Sequence, residues 1–156
     1  MEEKRYFTLL QLLIFITLIL GVAVIFTLTL FSAYSKSRDV KRVSDIRQMQ
    51  AALNMYFLDV GQYPLQLADN LNLSSVKFLS TGNEAGFGNE AVGMTLMSPL
   101  PSDPKNTRSY IYRSSGDGSR YFIKFVLENN NDEWQCQKDN YCYASELEIS
   151  GQQPSW

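Results

Sequence analysis

Hydrophobic and polar positions alternate in three successive ways along this chain, and each way predicts a different element. From Tyr6 to Tyr34 apolar residues run almost unbroken (YFTLLQLLIFITLILGVAVIFTLTLFSAY), with no charged residue between Arg5 and Lys36. At 1.5 Å per helical residue, Phe7 to Phe31 extends about 37 Å, more than the roughly 30 Å that a hydrocarbon layer requires. The pattern predicts a membrane-spanning helix over 6–35 behind a short charged leader at 1–5. A cleaved secretory signal is the rival reading, but its apolar region is usually about 7 to 15 residues and ends on small residues. This run is longer, and Phe31, Ser32, Ala33 and Tyr34 make a poor cleavage site.

No proline, and no glycine after Gly21, interrupts the chain until Gly61. The helix is therefore expected to continue through about Asp59, changing character as it goes. Val40, Val43, Ile46, Gln50, Leu53 and Phe57 recur three and four apart, which draws one largely apolar stripe along a charged helix over 36–60. Lys41 with Asp45, and Asp39 with Arg42, stand at spacings that stabilise an exposed helix, and they read as solvation. Gly61 and Pro64 supply the stop.

Beyond it, residues 61–156 read as a globular α+β domain. A long connection over 61–108 is followed by a β-sheet over 109–150. Within the connection, TGNEAGFGNEAVG reads as a variable surface loop. Its glycines at 86 and 88 lack the Lys-Ser/Thr that a phosphate-cradling loop needs. Tyr110 to Tyr112 and Tyr121 to Leu127 are β-rich runs joined by SSGDGS, a hairpin in which Asp117-Gly118 offers the positive φ of a tight turn. A third short strand is expected at Leu147 to Ile149. The small antiparallel sheet has one face to cover, and the amphipathic half of the helix has the length to cover it.

Composition removes several classes of function. The chain has no histidine, which excludes histidine bases, Ser-His arrangements and His-containing metal sites. A net charge of −2 provides no basic field for bulk nucleic-acid binding. Asp132 with Glu133, and Glu146 with Glu148, are the nearest carboxylate pairs. The first lies in a polar loop and the second on the solvent side of a strand, so no catalytic residue and no cofactor is expected. Asn129 to Asp132 (NNND) contains oxygen ligands for a hard cation at Asn131 and Asp132, a weak Ca²⁺ candidate without EF-hand spacing. Cys136 and Cys142, the only cysteines, lie in a loop with five residues between them, as a disulfide in an oxidising compartment would. Lys4 and Arg5 precede the span while Lys36, Arg38, Lys41 and Arg42 follow it. By positive charge alone the domain would stay in the cytoplasm. The cysteines argue against that.

FTLLQLL at Phe7 to Leu13 resembles the FTLIELL start of type IV pilins and type II secretion pseudopilins. DVKRVSDIRQMQAALNMYFLDVGQYP, from Asp39 to Pro64, is similar to the end of that family's long helix. LPSDP at Leu100 to Pro104, followed by YIY, resembles its entry into the sheet. The resemblance covers the first 64 residues and the stretch from about Ser98 to Leu127. It implies a pilin-like, ladle-shaped α+β fold, insertion in the inner membrane with the domain outside the cytoplasm, and polymerisation through the apolar helices. Other pilin or pseudopilin subunits, a prepilin peptidase and an assembly platform are the implied partners. No small-molecule substrate is implied, and nucleic acid enters only through a DNA-uptake filament.

Two positions depart from the family pattern. Tyr6 stands where the family has the glycine after which it is cut, so the processing site would fall between Tyr6 and Phe7. Gln11 stands at the assembly position, where the family has a glutamate. The departures fit a minor, initiating or divergent subunit that adds poorly to a filament of its own kind. The alternative is a membrane-tethered binding or adhesion module that never polymerises.

Overall fold

A computed structural model describes residues 8–65, 71–83 and 85–155. One helix, α1, runs from Leu9 to Val60. Eight strands follow: β1 Leu71–Asn72, β2 Phe78–Ser80, β3 Phe87–Gly88, β4 Thr95–Met97, β5 Ile111–Ser114, β6 Tyr121–Val126, β7 Tyr141–Ser145 and β8 Ile149–Ser150. The chain divides into two compact units at Lys36/Ser37.

In the first unit α1 is long and apolar enough to cross a membrane, with a mean hydropathy of 2.9 over its best window and none of that window buried. Its few polar side chains satisfy themselves. The hydroxyls of Thr17, Thr27, Thr29 and Ser35 each donate back to the carbonyl three residues earlier, at 2.8 to 2.9 Å. A hydroxyl turned back on its own helix asks nothing of a hydrocarbon surrounding.

In the second unit α1 packs on antiparallel sheet, the α+β arrangement expected. The principal sheet has the order β1-β5-β6-β7-β8. The β5–β6 hairpin forms as the sequence predicts, with Ile111 opposite Lys124 and Ser114 opposite Tyr121. Gly118 takes φ +66° in its turn, and a Cβ there would stand 3.0 Å from the Tyr63 carbonyl oxygen. Glycine thus lets the turn approach the segment after α1, where the Tyr63 amide donates to the Gly118 carbonyl at 2.8 Å. A row of ring contacts, Phe57 to Tyr63 to Tyr121 to Tyr112 to Phe87, runs from the helix end through β6 and β5 to the second sheet. Alternation along β6 puts Tyr121, Ile123 and Phe125 into the core, where Ile46, Met49, Leu53 and Tyr56 of α1 cover them.

The structure corrects three expectations. The covered stripe of α1 is Arg42, Asp45, Ile46, Met49, Gln50, Ala52, Leu53 and Tyr56. Val40 is 71% exposed and Phe57 lies at the margin, because charged residues with buried partners take the place of apolar ones near residue 42. The segment expected as a long connection contains β1 to β4 and a 3-10 turn at Leu73–Ser75, and β3-β2-β4 form a second sheet. Short strands with glycine and polar residues carry no periodic signal long enough to read. The strand expected at Leu147 to Ile149 is displaced. Leu147 is 83% exposed in a tight turn that the Ser145 amide closes onto the Glu148 carbonyl at 2.8 Å, and β7 before it is the strand that pairs with β6.

Candidate functional site

Three places combine chemistry with placement: the start of the apolar helix, a cluster of charges on α1 just beyond it in sequence, and the disulfide-closed loop after β6.

At the helix start, the Thr8 amide donates to Gln11 Oε1 at 3.2 Å, and the Gln11 amide donates to the Thr8 carbonyl at 2.9 Å. Gln11 thereby acts as the reaching-back member of a capping box, satisfying an amide that the helix leaves without an internal partner. Tyr6 and Phe7, the expected processing site, lie outside the described residues.

The charge cluster centres on Arg42, which is fully buried. Its guanidinium grips Asp103 bidentately, Nε to Oδ2 at 2.7 Å and Nη2 to Oδ1 at 2.9 Å. Its Nη1 donates to Asp39 Oδ1 and to Glu128 Oε1, both at 2.8 Å. Glu128 also accepts two bonds from Arg38, at 2.8 and 2.7 Å, and meets Lys105 Nζ at 2.8 Å. Asp39 accepts the backbone amides of Glu128 and Asn129, each at 2.9 Å, so the helix also holds the end of β6. Nearby, Asp45 accepts from the buried Tyr110 hydroxyl at 3.1 Å and stands 3.6 Å from Lys41.

These contacts set the protonation states. Hydrogen bonds from Arg38, then Lys105 and Arg42, hold the Glu128 carboxyl far below its ordinary value although burial opposes them. Burial by itself would lower the Arg42 value, but bonds to Asp103, Glu128 and Asp39 outweigh it and keep the guanidinium charged. Burial pushes the Tyr110 hydroxyl up, and the Asp45 carboxylate adds to the shift. Both Glu128 oxygens are engaged, and nothing in the cluster is poised to move a proton. Its effect is mechanical: it fastens α1 to the segment before β5 and to the end of β6.

Asp39, Arg42 and Asp45 are therefore not the solvation the spacing predicts, whereas Lys41 stays exposed beside Asp45. Asp103 and Glu128 are the residues that sequence reasoning overlooks. Arg42 shares a helical phase with Ile46, Met49, Leu53 and Tyr56, and a cation in phase with an apolar stripe signals a buried carboxylate elsewhere. The aspartate of LPSDP is that partner.

In the loop after β6, Cys136 and Cys142 form a disulfide with their Cα atoms 5.7 Å apart. Asn131 and Cys136 exchange backbone hydrogen bonds at 2.8 and 2.9 Å, and the Gly151 amide donates to the Trp134 carbonyl at 2.8 Å. A Cβ on Gly151 would overlap the Gln135 carbonyl oxygen, so only glycine lets the chain after β8 pass this loop. The Asn131 side-chain oxygen accepts from the Trp134 amide at 3.0 Å, whereas Asp132 is exposed. Among the described residues no group of three or more His, Cys, Asp or Glu could hold a metal.

An apolar helix that continues into the covering helix of a small antiparallel sheet defines a pilin-like class of protein. More particularly, the model of the family "Type II secretion system (T2SS), protein G" matches residues 29–138, and the chain belongs to that family of pseudopilins. The matched span contains Arg38, Asp39, Arg42, Asp103 and Glu128, and it ends before Cys142. Neither the curated proteins nor the solved structures yield a match.

Proposed function

We propose that this chain is a divergent, non-enzymatic structural subunit of a type II secretion pseudopilus. It is anchored in the inner membrane by α1, carries its globular unit outside the cytoplasm, and assembles with other pseudopilin subunits through the apolar helix. The observation that carries this reading is the first unit itself. Every side chain from Thr8 to Tyr34 is exposed, nearly all are apolar, and the hydroxyls mentioned above are bonded within the helix. Lipid covers such a surface in the monomer, and neighbouring helices can replace the lipid on assembly at little hydrophobic cost. Family membership supports the same reading.

The cations that follow the span fit export as well. Arg38, Lys41 and Arg42 each have carboxylate partners within the globular unit, so their number reflects its fold and does not need a cytoplasmic location to explain it. Gln11 marks the divergence. A carboxylate buried in lipid or in a dry filament core is costly unless paired, so in the family pattern it both rewards docking and selects register. A neutral amide offers a neighbouring helix only about 1 kcal/mol.

The test is a reporter, active only when exported, fused after Pro64. Activity is expected, together with recovery of the protein in sheared filaments. Activity of a cytoplasm-only reporter at the same site would reverse the orientation. Quantitative retention in the membrane after shearing, in cells that make the filament, would favour the tethered binding module.

A further inference from the structure

The outer face of the principal sheet is not plain solvent surface. Lys124 on β6 stands opposite Tyr143 on β7 and Ile111 on β5, and Val126 stands opposite Tyr141. Lys124 Nζ lies 4.3 Å from the centre of the Tyr141 ring and has no ion-pair partner among the described residues. At one end of the groove, Arg108 Nη2 donates to Asp139 Oδ1 at 2.6 Å, while its Nη1 is enclosed without an acceptor among the described residues. A covered donor without an acceptor is costly and marks a place where an arriving carboxylate is favoured. Arg108, Ile111, Lys124, Val126 and Tyr141 together make a groove with an apolar and aromatic floor and an excess of positive charge.

The disulfide loop carries the complementary charge. Asp132 and Glu133 are adjacent, exposed, and in no ion pair or side-chain hydrogen bond among the described residues, with Trp134 beside them. The placement of the two patches is set by the loop. Its Trp134 end is tied to the chain after β8, and its Asp139 end is tied to Arg108 ahead of β5. In the order β1-β5-β6-β7-β8 these are different flanks of the sheet. Each globular unit therefore carries a basic groove over β5, β6 and β7 and an acidic tip on the loop between β6 and β7.

We propose that the groove of Arg108, Lys124 and Tyr141 is the docking site for the Asp132–Glu133 tip of a second copy of this chain. The proposal rests on the assembly reading above and deepens it. With no carboxylate at position 11, register between neighbours has to be chosen outside the apolar segment, and this pair of patches can choose it through charge.

The test uses the full-length chain in membranes, expressed as mixed light and heavy isotope populations. A zero-length carbodiimide crosslinker is expected to join Lys124 of one population to Asp132 or Glu133 of the other, as read by mass spectrometry. A photo-crosslinker at Leu18 reports association through the apolar helix independently. Lys124→Glu is expected to lower the Leu18 copy-to-copy yield at least about five-fold, and Lys124→Glu with Glu133→Lys to restore it. If Leu18 crosslinks form while Lys124 meets no carboxylate of a second copy, or meets only those of another protein, the docking proposal is wrong and assembly stands. An unchanged Leu18 yield in Lys124→Glu would also overturn it. If Leu18 yields no copy-to-copy product, the docking proposal is wrong, and if Leu18 joins no other pseudopilin subunit either, the assembly reading fails with it.

Discussion

Arg42 is the residue on which the globular unit depends most. Its charge lies fully buried among Asp103, Asp39 and Glu128, so removing it takes from the buried Asp103 carboxylate its bidentate cation, while Glu128 keeps Arg38 and Lys105. Breaking a buried ion pair from one side commonly costs about 3 to 5 kcal/mol. Arg42→Met is therefore expected to unfold the globular unit at markedly lower denaturant, measured on the detergent-solubilised full chain by tryptophan fluorescence. Glu128 supplies a pH dependence whose sign follows from its shift. Its folded value lies well below the ordinary 4.5, so the carboxylate contributes stability above about pH 4.5 and loses it progressively as pH falls further. The melting temperature should be flat from neutral pH down to about 5 and then drop, and Glu128→Gln should give a lower but flatter profile on the acid side. A flat acid limb in the parent chain would show that Glu128 is not held as its contacts indicate.

Among the elements, those with a long or regular signal are legible in the sequence. The unbroken apolar run and the absence of Pro and Gly announce α1, and alternation with Asp117-Gly118 announces the β5–β6 hairpin. Strands β2, β3 and β4 escape such reading because two or three residues carry no period, and each is recognisable only through its partner. The buried face near residue 42 escapes it for a different reason, since a charge reads as solvated until the opposing charge is located. Asp103 and Glu128 are 61 and 86 residues away in sequence. The cysteine spacing was informative, and the loop it closes makes a prediction at this scale. Closing so short a loop stabilises by roughly 2 kcal/mol in the chain-entropy account, so reduction should lower the unfolding midpoint by a corresponding amount. Alkylation without reductant, followed by mass spectrometry of protein taken from cells, should find neither thiol labelled. Two labelled thiols would contradict both the bridge and the exported location.

At the scale of the molecule, two compact units share one helix and answer to different surroundings. The first is specified by an uncharged stretch from Thr8 to Ser35 whose hydroxyls at Thr17, Thr27, Thr29 and Ser35 are bonded within the helix. The second is specified by a core and by the cluster around Arg42. Gln11 belongs to the first unit, and its bond to the Thr8 amide uses the side chain for capping. Gln11→Glu keeps the reach-back geometry of a capping box while adding the carboxylate of the family pattern. It should increase filament yield relative to the parent chain, scored as protein recovered by shearing, and leave the unfolding midpoint of the globular unit unchanged. The contacts of Arg42 have a consequence for ancestry. Asp39, Asp103 and Glu128 come from three distant stretches of chain, and the loss of any one removes a partner from the fully buried Arg42. These positions are expected to be inherited as one block, retained together or exchanged together for apolar side chains of similar size, while the residues between them vary freely.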